Sequence, residues 1–256
     1  MEPAKRLIEQ VNRREMTLGL LVTQHLWVDL VEISSRSSLD YLILDMEHGV
    51  ADIETVAEMC AFGRMINFPI LIRPQNNQYA TLRLAMDLGC CGFLLASVES
   101  AADLDGVRDA TRVPPRGRRR PGGPSNRWLT AHTQPDWQKG VEDSFIVLPQ
   151  IETRVGLSNV DAIASHEVTT CIAVGPYDLS AELGVCGEQN HPKVREALAT
   201  IRKAGAAHGK EMWMIGDATQ LAGDGYHFIC MGEPSWLLEA ALKQKAGEAR
   251  TKKTNS

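Results

Sequence analysis

The chain is poor in the features that mark several large protein classes. No apolar run in its 256 residues approaches the ~20 needed by a helix that crosses a bilayer, so no membrane partner is expected. The start, Met1-Glu2-Pro3-Ala4-Lys5-Arg6, leads into a polar amphipathic stretch without the apolar core of a secretion signal. Six cysteines form no C-x-x-C pair and no zinc spacing. Several sit in apolar runs, where a reduced cysteine behaves as a small hydrophobe, and a reducing cytoplasmic location is expected. The net charge of −5 offers no surplus of cations for a phosphate backbone, so nucleic acid is not an expected partner. A Gly-x-Gly-x-x-Gly turn after an early strand is also missing, which removes the fingerprint of a doubly wound dinucleotide-binding sheet.

What is present is alternation. Hydrophobic runs at 17–22, 41–45, 69–73, 92–96, 145–151, 170–174, 211–215 and 227–231 are each followed by a longer stretch. Several of these stretches have helical length: 52–66, 79–88, 100–111, 154–165, 192–208 and 234–245. The runs show no polar alternation, as befits parallel strands covered on both faces. Eight strand–helix alternations predict an α/β fold, a (βα)8 TIM barrel. One domain over 1–256 is expected, because barrels of this length routinely form one unit, with a frayed tail from about residue 247. Residues 113–138 break the pattern with prolines, glycines and the run Arg118-Arg119-Arg120. This stretch is too long and polar for a turn and reads as an active-site loop.

In such a barrel the C-terminal strand ends face the catalytic mouth. Those ends carry Asp45, Glu47 and His48 after the second strand, Arg73 after the third, Glu152 after the fifth and Asp178 just beyond the sixth. Alone, Glu152 and Asp178 read as residues complementing helix starts. Together, at the ends of successive strands, they read as oxygen ligands of a hard divalent cation. Arg73 suits either a structural ion pair or a carboxylate or enolate oxygen. His48 has the side chain best matched to general base work near neutrality, with Asp45 placed to orient its ring; the bland alternative is a hydrogen-bonded loop histidine. Trp213 reads as packing or as a pocket wall, and the arginine run as a solvated loop or a carboxylate-binding one.

Five segments in order carry a resemblance: Leu44-Asp45-Met46-Glu47-His48, Leu71-Ile72-Arg73, Ala85-Met86-Asp87-Leu88-Gly89, Gln150-Ile151-Glu152-Thr153-Arg154 and Gly175-Pro176-Tyr177-Asp178-Leu179-Ser180. Over about residues 17–245 the chain resembles the class II, metal-dependent pyruvate aldolases of the HpcH/HpaI (aldolase/citrate lyase) family. The resemblance implies a carbon–carbon lyase that makes or cleaves 4-hydroxy-2-keto acids through a pyruvate enolate. Glu152 and Asp178 would hold Mg, Mn or Co. Arg73 would stabilise the enolate oxygen, His48 with Asp45 would handle the proton, and Asp87 would support them, possibly across a subunit contact. Gln150, Gly175, Pro176, Arg119 and Trp213 would contact substrate. Small 2-keto acids and aldehydes are the implied partners, and a hexamer, a trimer of dimers with exchanged C-terminal helices, is the implied assembly. The chain departs from the family pattern at Met46, Tyr177, Trp213 and the arginine loop, of which Arg119 alone keeps its place. Two alternatives stand: a synthase joining oxaloacetate to a second acceptor on the same scaffold, and a barrel that binds without catalysing.

Overall fold

Strands hydrophobic on both faces must be covered on both, and a closed barrel ringed by helices does this. The structure, a computed structural model, describes residues 1–49, 51–120, 127–129 and 133–254, without the side chains of 252–254. Its strands are β1 (Thr17–Val22), β2 (Tyr41–Asp45), β3 (Ile70–Arg73), β4 (Gly92–Leu95), β5 (Ile146–Ile151), β6 (Ile172–Val174), β7 (Met212–Ile215) and β8 (Phe228–Cys230). They pair in chain order as one closed parallel barrel, with β8 returning to β1 through Thr17 opposite Phe228 and Gly19 opposite Cys230. Around them run α1 (Glu2–Asn12), α2 (Asp29–Arg36), α3 (Ile53–Met65), α4 (Tyr79–Asp87), α5 (Ala101–Thr111) and α6 (Gln134–Gly140). There follow α7 (Arg154–Ser158), α8 (Val160–Ser165), α9 (Pro176–Glu182), α10 (Pro192–Ala207), α11 (Ala218–Gly223) and α12 (Pro234–Thr254). The expected single helix over 154–165 is two, parted at Asn159, and the stretch expected to fray from about 247 is helical to Thr254.

Local chemistry starts these helices where the chain leaves the mouth. Asp52 accepts the Thr55 N–H at the head of α3. Ser100 and Asp103 form a reciprocal capping box on α5, and Pro192 occupies the first turn of α10. Five of the six cysteines are buried. Burial pushes the Cys91, Cys171 and Cys230 thiols up to about 12, which leaves them as inert packing.

The lower barrel is plugged by aromatics. Trp213, the second residue of β7 and 1% exposed, donates its indole N–H to the Tyr41 hydroxyl on β2 at 2.8 Å. The Tyr41 ring meets Phe228 edge-on at 5.1 Å. Trp213 is therefore interior packing and not a wall of the mouth, contrary to the substrate-contact expectation: its strand position turns it inward below the rim. Trp213→Phe should cost about 1–3 kcal/mol, because the buried Tyr41 hydroxyl loses its donor. Urea denaturation measures this, and pairing the change with Tyr41→Phe should recover part of the loss.

The segment 113–138 joins a helix to a strand. It leaves α5, which runs from the mouth back to the floor, and it feeds β5, which starts at the floor. Its described ends therefore lie toward the floor, while the Arg118 carbonyl accepts the hydroxyl of Tyr79, the first residue of α4, at 2.9 Å. Arg112 pairs with Glu167, and Arg116 with Glu142 and Asp143, anchoring its start to the helices around it. Residues 121–126 and 130–132 of this loop lie outside the described residues.

Candidate active site

At the mouth, the register of β2 and β3 sets Asp45 directly beside Arg73. The guanidinium donates Nε to Asp45 Oδ1 at 2.8 Å and Nη2 to Oδ2 at 2.5 Å, a two-pronged ion pair of the strong kind. Asp45 is fully buried and takes further hydrogen bonds from Thr23 Oγ1 at 3.0 Å, the Glu47 N–H at 3.0 Å and the His48 N–H at 3.2 Å. It accordingly holds Arg73 and the backbone of the β2–α3 loop, not the imidazole of His48. Glu47 adds a carboxylate oxygen 3.2 Å from Arg73 Nε. Burial works against the charge on Arg73, yet the hydrogen bond and charge of Asp45, with Glu47 and Glu152 behind it, hold its pKa above the ordinary arginine value. The Nη1 group makes no hydrogen bond to the described residues and is the prong left for a ligand.

Glu152, the residue after β5, is buried as well. Its Oε1 accepts from both the backbone N–H (2.7 Å) and the hydroxyl (2.8 Å) of Ser97, and its Oε2 accepts from the Gln150 amide at 2.5 Å. Ser97 adopts φ +50, an uncommon conformation for a residue with a side chain. Gly175 closes the other side. A Cβ there would lie 2.3 Å from Glu152 Oε2 and 2.5 Å from Gln150 Nε2, so the end of β6 passes where only glycine fits. Pro176 then opens α9, and Asp178 stands exposed in its first turn.

Burial raises the Glu152 pKa above the usual carboxylate value. The Ser97 hydrogen bonds pull the other way, and the nearby charges of Asp178 and Glu47 push it further up. A carboxylate strained in this way gains from a cation. The donors are all oxygens, as hard divalent ions prefer: Glu152, Asp178 and the buried Oε1 of Gln150, which has no hydrogen-bond partner among the described residues. Among the described residues no cluster of three or more His, Cys, Asp or Glu forms a metal site. A protein share of two carboxylates, completed by water and substrate, fits a magnesium-type ion.

Of the residues anticipated from the sequence, Asp45, Arg73, Gln150, Glu152, Gly175, Pro176 and Asp178 meet at this rim. His48 stands at its edge with its side chain 70% exposed and Nε2 3.8 Å from Glu47. Asp87 and Arg119 do not join them within the protomer. Asp87 ends α4 at the floor end, where it is hydrogen-bonded to Arg119. Arg119 is buried, not solvated, 5.6 Å over the Trp137 ring, with Nε and Nη1 lacking partners among the described residues. Thr23 and Ser97 escaped notice, although each lies just past a predicted strand, where the barrel geometry directs attention.

A model of the HpcH/HpaI aldolase/citrate lyase family matches residues 26–237. A 5-keto-4-deoxy-D-glucarate aldolase of Shigella boydii is 32% identical over 220 residues, 84% of this chain and 85% of that one. A hydroxypyruvate/pyruvate aldolase of Pseudomonas aeruginosa is 29% identical over 255 residues, 96% of this chain and 92% of its own. The crystal structure of an HpcH/HpaI aldolase from Desulfitobacterium hafniense superimposes with a TM-score of 0.87 at 21% identity, over 94% of this chain and 95% of that one, and speaks for the fold. By sequence and by architecture, the chain belongs, as an aldolase, to the HpcH/HpaI aldolase/citrate lyase family.

Proposed function

We propose that this aldolase is divalent-metal-dependent and cleaves or forms 4-hydroxy-2-keto acids through a pyruvate enolate. The observation that carries the reading is the buried Glu152, its pKa raised and its neighbours Asp178 and Glu47 also acidic, facing an arginine whose remaining prong is unspent. The names of the two relatives, a keto-deoxy-glucarate aldolase and a hydroxypyruvate/pyruvate aldolase, support it. Glu152 and Asp178 would hold the ion (Mg, Mn or Co), which supplies a Lewis acid at the keto oxygen of the substrate.

The chain's own groups do the rest. Arg73 is preorganised by Asp45, so Nη1 meets developing negative charge without reorganisation, where such a donor counts most. The narrow passage at Gly175 and Pro176, with Gln150 beside it, receives the substrate carboxylate end. His48, at the solvent edge, exchanges the proton of the acceptor oxygen with water. Within the protomer Arg119 pairs with Asp87 at the end of α4 and adds no cation to its own mouth. The test is direct. Oxaloacetate or a 4-hydroxy-2-keto acid should yield pyruvate, EDTA should stop it, and added Mg or Mn should restore it; pyruvate release that survives EDTA would remove the metal from the mechanism.

Assembly as a hexamer, a trimer of dimers, belongs to the same proposal. Helix α12 leaves Trp236, Leu238 and Leu242 at 66%, 59% and 60% exposure. Beside it Leu26, Trp27, Leu30, Ile33 and Leu237 line an apolar groove of about 790 Å³. Exposed apolar surface on this scale marks a contact, and an exchanged α12 would cover it. Across such a contact the Asp87–Arg119 pair would support a neighbouring mouth. Leu238→Glu combined with Leu242→Glu should reduce the hexamer mass in light scattering to that of smaller species.

A further inference from the structure

Ser97 lies just past β4 and is exposed at the rim, yet its backbone is clamped on both sides. The Asn77 amide donates to the Ala96 carbonyl at 2.9 Å, and the Val98 N–H donates to the Gln150 carbonyl at 3.2 Å. Gly156 packs against the carbonyl that follows, since a Cβ built on it would lie 2.6 Å from the Val98 oxygen. Between these ties Ser97 takes φ +50, a conformation that costs a residue with a Cβ and suits glycine. What serine adds over glycine at this point is a hydroxyl, and that hydroxyl is spent on Glu152.

The consequence lies in the lone pairs of that carboxylate, about four shared between its two oxygens. Oε1 accepts from both the N–H and the hydroxyl of Ser97, at 2.7 and 2.8 Å, and is filled. Oε2 accepts from the Gln150 amide at 2.5 Å, which leaves it one place. Oε2 is also the oxygen beside Gly175, on the chain that leads directly to Asp178. A cation shared by Glu152 and Asp178 therefore finds Glu152 open at a single oxygen. Magnesium, small and octahedral, is served by single oxygens completed with water. Calcium fills about six to eight places and gains from a carboxylate that offers both oxygens. We propose that Ser97 is a positioning residue that sets metal choice: its hydroxyl closes Oε1, holds Glu152 to one ligating oxygen and so favours magnesium over calcium. This rests on the metal-dependent reading above, and the test separates the two.

The full chain, stripped of metal and loaded with Mn, is titrated with Mg or with Ca while the electron paramagnetic resonance signal of released Mn reports displacement. In the wild type, Mg should displace Mn at a lower concentration than Ca does. Ser97→Gly keeps the N–H donor and the left-handed backbone but opens a place on Oε1. It should narrow the preference for Mg over Ca about tenfold, the lower end of the effect of removing a partner that orients a metal ligand. Ser97→Ala loses the same hydroxyl but keeps a Cβ at φ +50. It should narrow the preference equally and melt at a lower temperature than Ser97→Gly. Equal metal choice at unequal melting temperature marks the hydroxyl, and not backbone strain, as the cause. A wild type that takes Ca as readily as Mg, or variants that keep the wild-type preference, overturn the assignment. A wild type that binds no Mn overturns the metal-dependent reading instead, and the role of Ser97 with it.

Discussion

Glu152→Gln should lower kcat/KM for pyruvate release on the order of a thousandfold, beyond the 10–100-fold that follows loss of a partner outside the ligand set. The same change should raise the stability of the metal-free protein at neutral pH. The sign follows from the direction of the shift. A carboxyl whose pKa is raised by folding favours the native state while protonated, and that contribution is lost as pH climbs through the raised value. Glutamine keeps an oxygen for the Ser97 donors, and the free Oε1 of Gln150 can receive its new N–H after an amide flip. Activity and stability should therefore move in opposite directions, as measured by coupled pyruvate assay and by thermal melting in EDTA. In the wild type, Mn should raise the melting temperature more at pH 7.5 than at pH 5, because the ion competes with the proton on Glu152. A Glu152→Gln variant that retains metal-dependent turnover would refute the ligand role.

Arg73 should give the second large effect, and two substitutions divide it. Arg73→Lys keeps a charge near Asp45 but loses the fork, and with it the free Nη1. A drop of about 10²–10³-fold in kcat is expected, the magnitude for removal of one preorganised donor from a developing oxyanion. Arg73→Ala should add a folding defect of about 3–5 kcal/mol, because the fully buried Asp45 would keep its charge without a counterion. The Thr23 hydroxyl and two backbone N–H groups remain on Asp45, so the lower end of that range is expected in urea titrations. A lysine variant with wild-type kcat would show Arg73 to be a structural ion pair only, the other reading its position allowed.

Much of the site was legible because a barrel strand is buried on both sides. Its sequence is an unbroken apolar run, and the first polar residue after the run marks the mouth. Asp45, Arg73 and Glu152 were found in this way, and Asp178 by its place after the next run. The same rule reaches Thr23 after β1 and Ser97 after β4. Neither was singled out, because a threonine or serine in a loop carries no chemical signal of its own. Their roles arise from what they touch: the carboxylates of Asp45 and Glu152.

Less was legible where direction, not residue type, was at issue. The Arg118–Arg120 segment has the composition of a functional loop. Whether such a loop starts at the mouth or the floor depends on whether it follows a strand or a helix, and this one follows α5. Asp87, at the end of α4, likewise stands away from the mouth of its own protomer, which leaves the expected role across a subunit contact. Trp213 belongs to a strand whose alternate residues point in and out, and its hydrogen bond to Tyr41 on β2 exists only once the sheet has closed.

The order of apolar runs and polar stops thus determined, without coordinates, the barrel, its working end and the carboxylates and arginine gathered there. Those are properties of chain order and of burial on two faces. Closure of the sheet alone decided that Asp45 grips Arg73 and not His48, and that Ser97 serves Glu152, since each joins segments distant along the chain.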